Sequence, residues 1–172
     1  MLHGWENFFT TAASAGATLI GLLFVSITVG SGLSTPQGLN ATRAFLTPTL
    51  VLFGAVMFQC VAALAPWPSA WPVGIILGLC GLAGLVNQVY VILKQYKMNI
   101  ATLDWLDWAL FSAVPALGYA SLIAGAAGLI ADKRFALYAI AGAIMLLLLS
   151  GIYGAYSVTL WIASYRDKTK SM

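Results

Sequence analysis

Five long apolar stretches, at about 8–31, 44–65, 73–93, 105–131 and 135–163, carry no Asp, Glu, Lys or Arg near their middles. That feature decides what the chain can become. About 20 apolar residues are enough for a helix to cross the hydrocarbon of a bilayer. Lipid offers no partner to backbone N–H and C=O groups, so each stretch has to close its own bonds as a helix. The sequence therefore predicts an all-α, polytopic helical membrane protein with five transmembrane helices in a single domain, residues 1–172. A soluble fold is excluded by composition. The chain is 61% hydrophobic and 8% charged, against roughly 25% charged in soluble proteins, and no water-facing surface could be built from it.

The net charge of +3 reads as a topology signal and not as a nucleic-acid surface, because the basic residues lie beside the spans. With the C-terminus cytoplasmic, Arg43, Lys94, Lys97, Arg166, Lys168 and Lys170 fall inside and Lys133 with Arg134 outside. The expected orientation is N-terminus outside, C-terminus in the cytoplasm. The tryptophans Trp5, Trp67, Trp71, Trp105, Trp108 and Trp161 all fall near span ends, where an amphipathic ring prefers to sit. His3 and Glu6 stand where a signal peptide would have a basic cluster, and the apolar run continues past Val25. The first span is expected to be retained. Cys60 and Cys80 fall within spans and read as small apolar packers.

Local signals place the joints. Gly30, Ser31, Gly32, Ser34, Pro36 and Gly38 predict a flexible loop after the first span, and Pro48 is expected in the first turn of the second. Pro66, Trp67, Pro68, Trp71 and Pro72 make a tight, uncharged interfacial turn. Gly74, Gly78, Gly81 and Gly84 in the third span, and Gly118, Ser121, Gly125 and Gly128 in the fourth, predict close helix approaches. Asp104 and Asp107 suit the start of the fourth span as caps. Pro115 removes the backbone bond to the Phe111 carbonyl and predicts a kink. The chain has no internal repeat.

Catalysis needs a positioned acid, base, nucleophile or metal, and the sequence has no such constellation. The lone histidine, His3, is near the terminus. No enzyme activity, cofactor or metal is expected. The neutral polar residues at depth are Gln59, Asn87, Gln88 and Tyr153, with Tyr119, Ser150, Tyr156 and Ser157. Each is either an interhelical hydrogen-bonding group or the lining of a pathway.

The first span carries the most organised pattern. Thr11, Ser14, Thr18, Gly21, Val25 and Thr28 recur at steps of three and four, a narrow small or hydroxyl seam on an otherwise apolar rod. A 3.5-residue repeat suits a left-handed helix crossing. It equally suits several copies of the span around an axis, lining a pore with hydroxyls and a dry constriction at Val25. Glu6, before the seam, is either an acidic ring at the mouth or a helix-terminus charge. The small-residue faces of the third and fourth spans suggest more packing surface than one chain buries, so self-association is expected. The run Ala17, Thr18, Leu19, Gly21, Leu22, Leu23, Phe24 and Val25 resembles small bacterial integral membrane proteins. The expected function is a homo-oligomeric channel or pore for an ion, cations favoured, or a small solute, in the bacterial inner membrane. The alternative is a non-conducting accessory or scaffold subunit of a larger membrane complex. The expected partners are the lipid bilayer, further copies of the chain and other membrane proteins.

Overall fold

The computed structural model describes residues 4–30, 36–97 and 109–170, and every regular element among them is helical. His3, Asp104, Trp105, Asp107 and Trp108 lie outside these residues, as do the side chains of Arg43, Lys94, Lys97, Trp161, Arg166, Lys168 and Lys170. Five α-helices follow in order: α1 Glu6–Gly30, α2 Pro36–Leu64, α3 Ala70–Lys97, α4 Val114–Ile130 and α5 Ala136–Lys170. A five-residue π turn, Ala109–Ala113, leads into α4. By length and hydropathy four stretches can cross a membrane, Glu6–Ser26, Ala70–Leu93, Leu110–Ile130 and Ala136–Ser157, and a shorter apolar one is Pro48–Leu64. Large apolar side chains such as Leu22, Phe58, Leu79, Val86, Leu117 and Met145 face outward. An exterior of that kind suits lipid and not water.

Helix ends follow the local chemistry. α2 begins at Pro36, whose missing N–H costs nothing in a first turn. Pro48 therefore lies in the interior of α2 and not in its first turn. At the other end of α2 the Trp67 indole Nε1–H donates to the Ala62 carbonyl at 2.8 Å, satisfying one of the last-turn acceptors a helix leaves open. α4 stops at a left-handed residue, Asp132, with φ of 53°. The N–H of Asp132 bonds Leu129 O at 3.3 Å and that of Lys133 bonds Gly128 O at 2.8 Å. This is the Schellman arrangement, with Asp where glycine is usual.

Small residues set the packing order. Gly74 of α3 accepts Ile130, Gly81 accepts Ile123 and Gly84 accepts the ring of Tyr119, all from α4. α4 then offers Gly118 to Leu147, Gly125 to Ile140 and Gly128 to Phe135 and Ala136 of the next segment, and Ser121 Oγ donates to Ala139 O at 2.9 Å. α5 in turn offers Gly151 to Phe53 and Gly154 to Thr49 of α2. These pairs run α3 against α4, α4 against α5 and α5 against α2 in antiparallel sense. α1 closes the series, with Gly16 against the Phe53 carbonyl and Met57 of α2. The glycine faces of α3 and α4 are thus filled within the chain. One main apolar cluster results, including Phe9, Val56, Leu77, Leu122, Ile144 and Leu147.

Candidate functional site

The seam of α1 comes to lie on the outside. Glu6, Thr11, Ser14, Thr18, Gly21, Val25 and Thr28 are all exposed, while Phe9, Ala12, Gly16 and Leu23 on the opposite side bury against the rest of the chain. A side chain added at Gly21 would meet nothing within 4 Å. The hydroxyls bond back along their own helix: Thr11 to Asn7 O at 2.7 Å, Thr18 to Ser14 O at 2.8 Å and Thr28 to Phe24 O at 2.8 Å. Each of these protons is committed, and what remains outward is an acceptor oxygen.

The other sequence candidates separate into three places. Gln88 and Tyr153 meet at the π turn that opens α4. Pro115 has no N–H, and it lies four residues beyond Phe111 and five beyond Leu110. An α turn there leaves the Phe111 carbonyl unpaired, and a π turn leaves that of Leu110. Both receive donors from other helices. Gln88 Nε2 donates to Phe111 O at 2.8 Å, with a longer contact to Ser112 O at 3.4 Å. Ser150 Oγ donates to Leu110 O at 2.8 Å. The Tyr153 ring stands edge-on to Phe111, centroids 5.6 Å apart. Thr49 and Ser112 are buried beside them.

Through Gln88 and Ser150, neutral groups whose donors meet backbone acceptors, this node ties α3 and α5 to the turn that opens α4. The Phe111 carbonyl was legible in the sequence through Pro115. Ser150 was legible only as a neutral polar residue at depth, and Ser112 and Thr49 were not singled out there, because the signal for their placement, a carbonyl freed on another helix, exists only after packing.

Asn87, adjacent in sequence to Gln88, points the other way, to the exposed face of α3 beside a shallow groove formed by Leu79, Leu82, Ala83, Val86 and Tyr90. Gln59 stands apart from both, inside the bundle at 1% exposure. Cys60 and Cys80 are free thiols, the first buried and the second half-buried. Among the described residues no three of His, Cys, Asp and Glu gather as a metal site would require. In comparisons with known proteins the chain matches no family model, no curated protein and no solved structure.

Proposed function

We propose that the protein is a homo-oligomeric membrane channel or pore in which copies of α1 surround a path for an ion or small solute. The observation that carries this reading is the exposure of the whole seam, from Glu6 through Thr11, Ser14, Thr18, Gly21 and Val25 to Thr28, on a helix whose other side is spent on the chain's own core. Because Thr11, Thr18 and Thr28 donate their protons inward, a path along them meets oxygen lone pairs, which favour cations. Glu6 lies at the mouth and Val25 forms the dry constriction. In this reading the N-terminus is outside, the C-terminus is cytoplasmic and the membrane is a bacterial inner membrane, as the six-to-two split of basic residues argues.

The test is flux through liposomes holding the purified full-length protein. Thr18→Trp and Val25→Trp should each cut flux by about tenfold or more if those positions line the path, with the oligomer size unchanged. Unaltered flux in a folded oligomer would remove α1 from the path.

The back-bonded hydroxyls also support a second reading, a non-conducting accessory or scaffold subunit. A seam whose protons are already used can lie dry against another membrane helix. Isolation in gentle detergent separates the two: a stoichiometric partner without flux supports the scaffold, and a homomeric peak that conducts excludes it.

A further inference from the structure

Asn87 is a carboxamide on the outer face of α3, in the shallow groove whose floor is Ala83 and whose walls are Leu79, Leu82, Val86 and Tyr90. It lies five to six residues past the middle of the span Ala70–Leu93, about 8 Å along the axis, within a hydrocarbon half-thickness of about 15 Å. Lipid tails neither donate nor accept hydrogen bonds. A polar side chain at that depth belongs where protein or water meets it, so this face is not spent on lipid.

α1 and α3 are the two edges of the fold. They do not touch each other among the described helices, since α3 gives its inner face to α4 and α1 its own to α2. Both run the same way: α3 and α5 each oppose α4, and α1 starts beside the start of α5, where the Trp5 and Tyr138 ring centroids are 5.0 Å apart.

Facing pairs carry a height across the bundle. Gly84 faces Tyr119, and the adjacent Gly118 faces Leu147; Leu147 lies one turn before Gly151, which faces Phe53, and the Phe53 carbonyl faces Gly16. Gly84 is thus about one turn nearer the helix starts than Gly16. Asn87, three residues further on, is level with Gly16, between Ser14 and Thr18 of the outward seam. Rotation about the membrane normal keeps every residue at its height, so copies inserted alike would bring these groups together edge to edge. The Thr18 hydroxyl gives its proton to Ser14 O and keeps an acceptor oxygen for an amide N–H.

We propose that the copies join head to tail, the α3 groove of one against α1 of the next, with Asn87 Nδ2–H of the first donating to the seam oxygens at Ser14 and Thr18 of the second. Such a contact closes into a ring. It rests on the homo-oligomeric reading above and names its interface. Leu22 and Phe24 bound the exposed arc of α1, about 160° apart across the seam, so a neighbouring helix can cover one flank while the rest of the arc still faces the path.

The test uses full-length chains carrying Cys60→Ala and Cys80→Ala, with two tags of different size. One chain carries Ser14→Cys or Thr18→Cys and the other Asn87→Cys; both are co-expressed and oxidised in the membrane with copper phenanthroline. The expected product is a dimer of mixed size, well above the yield when Met145→Cys, on the exposed side of α5, replaces Asn87→Cys. Should Asn87→Cys not accumulate, Ala83→Cys on the groove floor takes its place. Homodimers of the Asn87→Cys chain without the mixed band, or a mixed band no stronger than the Met145→Cys control, would overturn the proposal. Flux is read on the same membranes: a mixed band without flux keeps this interface and removes the path, whereas flux without a mixed band removes this interface alone.

Discussion

Replacing Gln88 with leucine keeps the bulk of the side chain and removes one donor. The acceptor it serves, Phe111 O at 2.8 Å, has lost its α-helical donor because Pro115 carries no N–H. A buried acceptor left open costs about 1–3 kcal/mol in proteins generally, and interhelical bonds in membranes average about 0.6 with a maximum near 1.7. The expected loss for Gln88→Leu is therefore about 1–2 kcal/mol. The cause can be isolated with a second substitution. Pro115→Ala restores an N–H four residues beyond Phe111, which lets the π turn relax to an α turn and close the bond internally. In that background Gln88→Leu should cost less than about 0.5 kcal/mol, a coupling of about 1 kcal/mol. Reversible unfolding by sodium dodecyl sulfate in mixed micelles, followed by circular dichroism, gives all four corners of the cycle. Equal costs for Gln88→Leu in both backgrounds would refute the claim that Gln88 compensates for the proline.

Two further outcomes follow from the packing. Gly84→Ala drives a methyl group into the Tyr119 ring and should destabilise by about 1–3 kcal/mol, whereas Gly142→Ala, which meets nothing within 4 Å, should be neutral or gain up to about 1 kcal/mol from helix propensity; the same unfolding assay compares them, and equal effects would count against the α3–α4 fit. Asp132→Gly relieves a left-handed residue at φ of 53° and should raise stability by roughly 0.5–1 kcal/mol. A fall in its thermal midpoint would instead assign the carboxylate a role at the start of α5.

Reading the chain alone was sufficient for its helical class and for the turns that follow α2 and α4, since the apolar runs exceed what water tolerates; it misplaced the start of α2, where Pro36 and Gly38, expected in a loop, belong to the helix. The glycine spacing in α3 and α4 was likewise readable as close approach, and the structure names the occupants: Ile130, Ile123 and Tyr119 on one side, Leu147, Ile140 and Phe135 on the other. Pro115 announced an unpaired carbonyl at Phe111 from covalent structure alone. Composition could not tell Asn87 from Gln88, because one residue's step is about 100° of helix rotation and decides between an exposed face and a buried node.

What the sequence by itself determined is the set of local necessities: which segments become helices, where a backbone bond is missing, and which faces are small enough to be approached. Tertiary structure decided who meets those needs. It gave the carbonyls of Leu110 and Phe111 to Ser150 and Gln88, left Gln59 without a protein partner, and turned the hydroxyl seam of α1 outward. The physical reason is that a helix's own hydrogen bonds are fixed by residues four apart, while its side-chain partners come from other segments that only packing brings near.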